Sequence, residues 1–250
     1  MLAVTDRRRR RRRRRRPPGA SAPTNLRTRV ALRSVGVVTF QGWAPAALAF
    51  YEGLEGDNTK RYWTEHRSTY DHDVLAPMRE LLAELAPRFG EGKVFRPFRD
   101  VRFSADKSPY KTAIGATTDH GGYVQLSAKG LAAGAGYYQL ANDQLSRFRD
   151  TVDDEATGQA LVGIVARLAK KQIEIMSIDA LKSAPRGVSV EHPRIELLRL
   201  KGLAAWRQWP IEPWLGTAGA KKRVIEFFEA TTPLIDWLDD HVGPSNAPRR

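Results

Sequence analysis

Five cations, two carboxylates and four hydroxyl side chains fall within one run, FRPFRDVRFSADKSPYKT, at positions 95–112. Arg96, Arg99, Arg102, Lys107 and Lys111 stand against Asp100 and Asp106, with Ser104, Ser108, Tyr110 and Thr112 among them. A guanidinium grips a phosphate or carboxylate through two parallel N–H donors, and a lysine adds a mobile point charge. The pattern therefore points to capture of a small phosphorylated or carboxylated ligand, by Arg96, Arg99, Arg102, Ser104, Lys107 and Lys111. If a reaction follows, Asp100, Asp106 and Tyr110 are the proton-transfer groups available, although no motif assigns their roles. The competing reading is an internal network, in which the two aspartates pair with two of the cations and brace a turn at Ser108-Pro109. Two acids cannot neutralise five cations, and this tips the balance toward a pocket.

Other chemistries find less support. The chain has no cysteine, which removes disulfides, thiolate nucleophiles and Cys-ligated metal sites. Ser104 to Lys107 and Ser108 to Lys111 both match Ser-x-x-Lys, but that spacing serves an acyl-enzyme only where it opens a helix. Here Pro109 interrupts it. The five histidines, His66, His72, His120, His192 and His241, form no i, i+3 or i, i+4 ligand set, so no metal is expected. The glycines between 130 and 136 lack the phosphate-loop and dinucleotide patterns, and no cofactor is expected. They suggest close backbone approach or a bulge instead. The six tryptophans lie in amphipathic segments and read as core or core edge. A surface for single-stranded nucleic acid would need several exposed rings near the basic block.

The net charge of +13 has a local origin. Ten consecutive arginines, Arg7 to Arg16, with Arg27, Arg29 and Arg33, face only Asp6 within the first 35 residues, so the rest of the chain is close to neutral. Residues 1–37 read as a disordered Arg-rich tail or as a gene-model extension, with Val35, Val37 or Val38 as alternative starts. If expressed, the tail would bind nucleic acid without sequence preference, because no base-reading geometry accompanies it. No apolar segment follows it to make a signal peptide, and no stretch is long enough to span a membrane. A cytoplasmic location follows as the default.

The elements that must position the block read as α+β. Leu48, Tyr51 and Leu54 predict a helix opened by Pro45 and closed by Gly56. Asn58 is the expected cap of a second helix over 60–67, and a third is expected over 73–89, with Pro77 in its first turn. The period then changes to predict strands over 93–103, 110–118, 123–128 and 131–140. In the first of these, Arg96, Asp100 and Arg102 would share one face and Arg99 the other, unless Pro97 makes a bulge. Helices are expected from Asn142, over 155–171, near 193–200, around Val224 to Phe228, and from Pro233. Strands are expected near 173–176 and 203–209. The whole is one α+β domain over 38–242, an antiparallel sheet of about four to six strands flanked by N-terminal and C-terminal helices. Residues 243–250 read as a disordered tail.

The block FRP-x-RD-x-RFS-x-DKSPYKT resembles the hallmark of a family of conserved hypothetical proteins, mainly bacterial with fungal members, classed as a domain of unknown function. The opening FQGWAPAALAFYEGLEGDN and the later GYVQLSAKGLAAGAGYYQ, QLSRFRDTV and HPRIELLRLKGL are similar to other blocks of that family, over about 39–241. At Asp57 the chain departs from it, since the family more often has Asn-Asn there. The resemblance implies no activity. The expectation therefore rests on the block itself: a basic pocket for a small anion, in an enzyme or otherwise. The alternative is a nucleic-acid-associated or protein-interaction module, with the arginine block a structural network.

Overall fold

A computed structural model describes residues 39–246 of the chain, except residue 103. The Arg-rich segment 1–37 and residues 247–250 lie outside the described residues.

Pro45 occupies the first turn of α1, Pro45–Gly56, where its missing N–H removes no helical bond. This helix buries Phe50, Tyr51 and Leu54. Thr59, not Asn58, caps α2, Lys60–Glu65, its hydroxyl accepting the Tyr62 N–H at 3.2 Å. The single turn α3, Arg67–Thr69, runs into a π-helical turn, Tyr70–Leu75, and then into α4, Ala76–Phe89. The helix expected from 73 thus has a wider first turn, which buries both Tyr70 and Val74.

Six strands form one antiparallel sheet in the order β1-β2-β3-β4-β6-β5. They are β1 Gly92–Val94, β2 Ala113–Thr118, β3 Gly122–Ser127, β4 Gly130–Tyr137, β5 Glu174–Met176 and β6 Leu203–Gln208. Ser127 pairs with Gly130 across a two-residue turn, and Gly130 takes φ +97°, which a side chain would resist. The segment read as a strand over 93–103 narrows to three residues. Beyond β1 only an isolated antiparallel bridge, Phe98 to Tyr110, survives. Pro97 and Pro109 flank it and supply no N–H, so they can only accept: Pro97 from Lys111 and Pro109 from Arg99.

Burial alternates along β3. Val124 and Leu126 are buried while Tyr123 and Gln125 are partly exposed. The inward face carries Ile114, Ala116, Leu131 and Ala133, and helices cover it: α4 against β1 and β2, α1 against β3, and the C-terminal helix α8, Gly219–His241, against β4 and β6. The opposite face, with Tyr123, Gln125 and Trp206, has no helix of this set upon it.

Two helices, α5 Asn142–Asp153 and α6 Glu155–Lys170, meet at Asp154, whose carboxylate accepts the Thr157 N–H at 2.9 Å. The short helix α7, Ile195–Leu198, follows Arg194, a buried side chain that ties this junction together. Its guanidinium donates to the carbonyls of Val152 (2.7 Å) and Asp153 (2.8 Å) and to Glu155 (2.9 Å). The C-terminal helix α8, Gly219–His241, is continuous, so Pro233 lies inside it and does not open a new helix. Its stripe of Val224, Phe227, Leu234, Trp237 and Leu238 is buried, which outweighs the lost backbone bond. The Thr231 and Thr232 hydroxyls donate to carbonyls one turn back. Residues 243–246, read as the start of a disordered tail, instead dock on α5. Ser245 and the Asn246 N–H bond Asp143, and Arg147 donates to the Val242 and Pro244 carbonyls. No helix among the described residues is long and apolar enough to cross a membrane.

Candidate ligand site

The 95–112 block folds as a loop between β1 and β2, and Tyr110 ties it to the helical segment through its backbone and its ring. In an antiparallel bridge whose bonds are made by the flanking residues, the central N–H and C=O point the other way. For Tyr110 they point at Asn58, whose Nδ2 donates to the Tyr110 carbonyl at 3.0 Å and whose Oδ1 accepts its N–H at 3.1 Å. The Asn58 amide thus stands in for a third strand. The Tyr110 ring is buried and stacks on Trp63, with centroids 4.4 Å apart and planes 6° apart.

Within the loop the two aspartates each take one arginine. Arg102 holds Asp100 through Nε (2.9 Å) and Nη2 (2.7 Å), and Arg99 hydrogen-bonds Asp106. Asp106 also accepts the Ser108 N–H at 2.9 Å, which closes the turn before Pro109. Arg99, then Ser108, holds the Asp106 carboxyl far below the usual carboxylate range, and Arg102 lowers that of Asp100. Lys107 donates to the Val101 carbonyl at 3.1 Å. Lys111 lies over the Phe95 ring, 5.3 Å from its centroid.

Of the six residues proposed to bind an anion, Arg99 and Lys111 line one hollow of about 640 Å³, together with Asn58, Asp106 and Ser108. Tyr110 also lines it, while Glu55 adds a second carboxylate to the wall. Arg96, Arg102, Ser104 and Lys107 do not line it, and neither does Asp100. Both Ser-x-x-Lys matches sit in irregular loop and open no helix. Among the described residues no three His, Asp or Glu side chains gather as a metal site.

The hollow continues onto the open face of the sheet. Phe95, Tyr123 and Gln125 border both it and an apolar trough of about 520 Å³, floored by Gly134, Gly136 and Ala204 and walled by Trp206 and Tyr138. Phe95 and Tyr138 are 39% and 51% exposed. Tyr123 and Trp206 are half-buried because they lie down on the sheet. A Cβ on Gly115 would come within 2.6 Å of the Tyr123 hydroxyl, and one on Gly134 within 3.1 Å of the Trp206 ring. Centroids are 6.2 Å apart from Phe95 to Tyr123 and 6.0 Å from Tyr123 to Trp206, with interplanar angles of 32° and 28°. Trp206, expected in the core or at its edge, lies half-buried on this surface. The close approach expected at Gly134 is made by a ring, not by backbone. Asn58 and the flattened rings escaped sequence reasoning; the glycines at 115 and 134, each on the sheet face beneath an aromatic, were the available signal.

No curated protein and no solved structure resembles the chain closely enough to count as a match. One family model does match, over residues 46–237, well over half of the chain, and it covers the helices, the sheet and the loop that carry the hollow. The chain belongs to the family of conserved hypothetical proteins described as DUF2461.

Proposed function

We propose that the protein binds a small phosphorylated or carboxylated ligand in the hollow between Arg99 and Lys111. The observation that carries this reading is the pairing of two cations on the wall of an uncovered hollow. Arg99 is oriented there by Asp106, yet its guanidinium has five N–H donors, more than one carboxylate uses. Asp106 therefore serves as a brace and leaves Arg99 able to receive an anion, so the network and the pocket are compatible. Lys111 supplies the second, movable charge. Asp106 and Tyr110 are the nearest candidates for moving a proton, and the reading makes no commitment to a reaction. A cytoplasmic protein meeting soluble metabolites suits it.

The test is thermal denaturation of the full chain with nucleotides, sugar phosphates and carboxylates, repeated with Arg99→Ala and Lys111→Ala. A ligand at 100 times its dissociation constant adds about 2.7 kcal/mol, or roughly 5–10 °C for a chain of this size. A shift present in the wild type and lost in both variants supports the reading. No shift from any ligand, with both variants melting much lower, would make the block a brace alone.

A further inference from the structure

Phe95, just past β1, Tyr123 on β3 and Trp206 on β6 form a row over the open face, and the last two rings are pressed flat where the sheet has glycine beneath them. A ring that stands on edge fills a core; a ring laid flat with one face on backbone turns its other face outward. Small residues continue the floor at Gly136 and Ala204. Among the described residues no lysine, arginine, aspartate or glutamate lines this trough. Among the described residues, charge stands beyond its ends, and Lys93 is exposed at the β1 edge, paired with Thr117. Lys111 stands over Phe95 at one end. At the other, Glu174 pairs with Trp206 in the β5–β6 register and is exposed.

This polarity selects a ligand. A nucleic-acid strand crossing the row would carry a phosphate for each base, and those beyond the first would meet no cation in the trough and then Glu174. A ligand with one anionic end and one flat body meets every feature: cations at one end, ring faces and apolar floor along the middle, and no charge to desolvate. Glu55, on the wall of the cationic hollow, offers a hydrogen-bond acceptor to ligand hydroxyls there.

We propose that the open sheet face takes a planar heteroaromatic ring attached to a single anionic group, the chemistry of a nucleoside monophosphate, with its ring on the Phe95–Tyr123–Trp206 row. This rests on the reading of Arg99 and Lys111 as the anion site. The two can fail separately.

Isothermal titration of the full chain with adenosine monophosphate, ribose 5-phosphate and adenosine separates them. Stacking on an aromatic side chain predicts that the nucleotide binds roughly five- to a hundredfold more tightly than ribose 5-phosphate. Trp206→Leu, a change outside the cationic hollow, should erase most of that advantage while leaving ribose 5-phosphate unchanged. Lys111→Ala should weaken both phosphates and spare adenosine. Gly115→Ala is a milder variant, because the added methyl meets only the movable hydroxyl end of Tyr123; it should tilt the ring and cut the nucleotide's advantage in a protein that still folds. Equal affinity for nucleotide and ribose 5-phosphate would overturn the ring site while sparing the anion site. Binding of none of the three would overturn both. A single-stranded hexanucleotide that displaces the nucleotide, and loses affinity on Tyr123→Leu, would make this a strand-binding face and sink the proposal. So would a dimer in solution that Trp206→Leu dissociates.

Discussion

Replacing Asn58 by alanine removes two hydrogen bonds, both to the backbone of one residue. The Tyr110 N–H and carbonyl are partly buried beneath the hollow, and the bridge to Phe98 uses neither of them. A typical intramolecular hydrogen bond contributes about 0.5–1.5 kcal/mol net, and a buried group left without a partner costs about 1–3 kcal/mol. Because water can reach this partly buried site, the lower figures apply, and Asn58→Ala should cost about 2 kcal/mol. That is roughly 4–8 °C in melting temperature for a protein of this length. Asn58→Asp discriminates further. It keeps the acceptor for the Tyr110 N–H but puts a carboxylate oxygen against the Tyr110 carbonyl, so it should cost at least as much as alanine at pH 7 and less once protonated near pH 4. Urea denaturation with a common slope gives the free energies. If Asn58→Ala unfolds within about 0.5 kcal/mol of the wild type, the amide does not hold the loop and the account of how the block is positioned is wrong.

Arg194→Ala should cost about 3–4 kcal/mol in the same assay, because it strands the Val152 and Asp153 carbonyls and empties a buried space; Arg194→Lys should recover only a fraction of it, having no fork to span three acceptors. The Asn246 N–H, then Ser245, lowers the Asp143 carboxyl to about 2, beneath its ordinary value of 3.8. Its folded form is the more acidic, so the contribution is full above pH 4 and is lost as the pH falls toward 2. The protection of the Asn246 amide against hydrogen exchange, relative to its intrinsic rate, should fall over that window and, in Asp143→Asn, already be low at neutral pH. Burial and the hydrogen bond to Asp239 raise the Tyr137 hydroxyl to about 12. The stability it adds is present below pH 10 and lost as the pH rises through 12, and ultraviolet titration of Tyr137→Phe against wild type should show one late-ionising tyrosine missing. Pro233→Ala restores an N–H to the middle of α8 and should stabilise the protein by about 1–2 kcal/mol in urea; a destabilised variant would show that the helix is shaped around the proline.

The features that could be read in advance are those whose cause is local. The alternation of Val124 and Leu126 with Tyr123 and Gln125 lies within one strand. Leu161, Ile164 and Leu168 lie on one stripe of α6. The misreadings have non-local causes. The 95–112 block has the aromatic content of a strand, but its two prolines deny the ladder its donors. Pro233 looks like a helix start because its sequence neighbourhood does not show the sheet that α8 covers. Asn58 resembled a cap because a capping side chain and a side chain bonding a peptide 52 positions away share the same chemistry. At the candidate site the cluster of charges was visible, but the division between Arg99 and Lys111, which line the hollow, and Arg96, Arg102 and Lys107, which do not, depends on the path of a loop.

The strand order carries a consequence for association. Both outer strands, β1 and β5, are three residues long, and the four longer strands lie between them. An edge of that length offers an incoming chain too few backbone groups to extend the sheet, and past β1 the chain reaches Pro97, which has no donor to give. Among the described residues, both edges of the sheet are thus poor templates for the lateral growth that leads to fibrils. The sheet is closed edge-on and open face-on, so another molecule that engages it does so through side chains rather than by adding a strand.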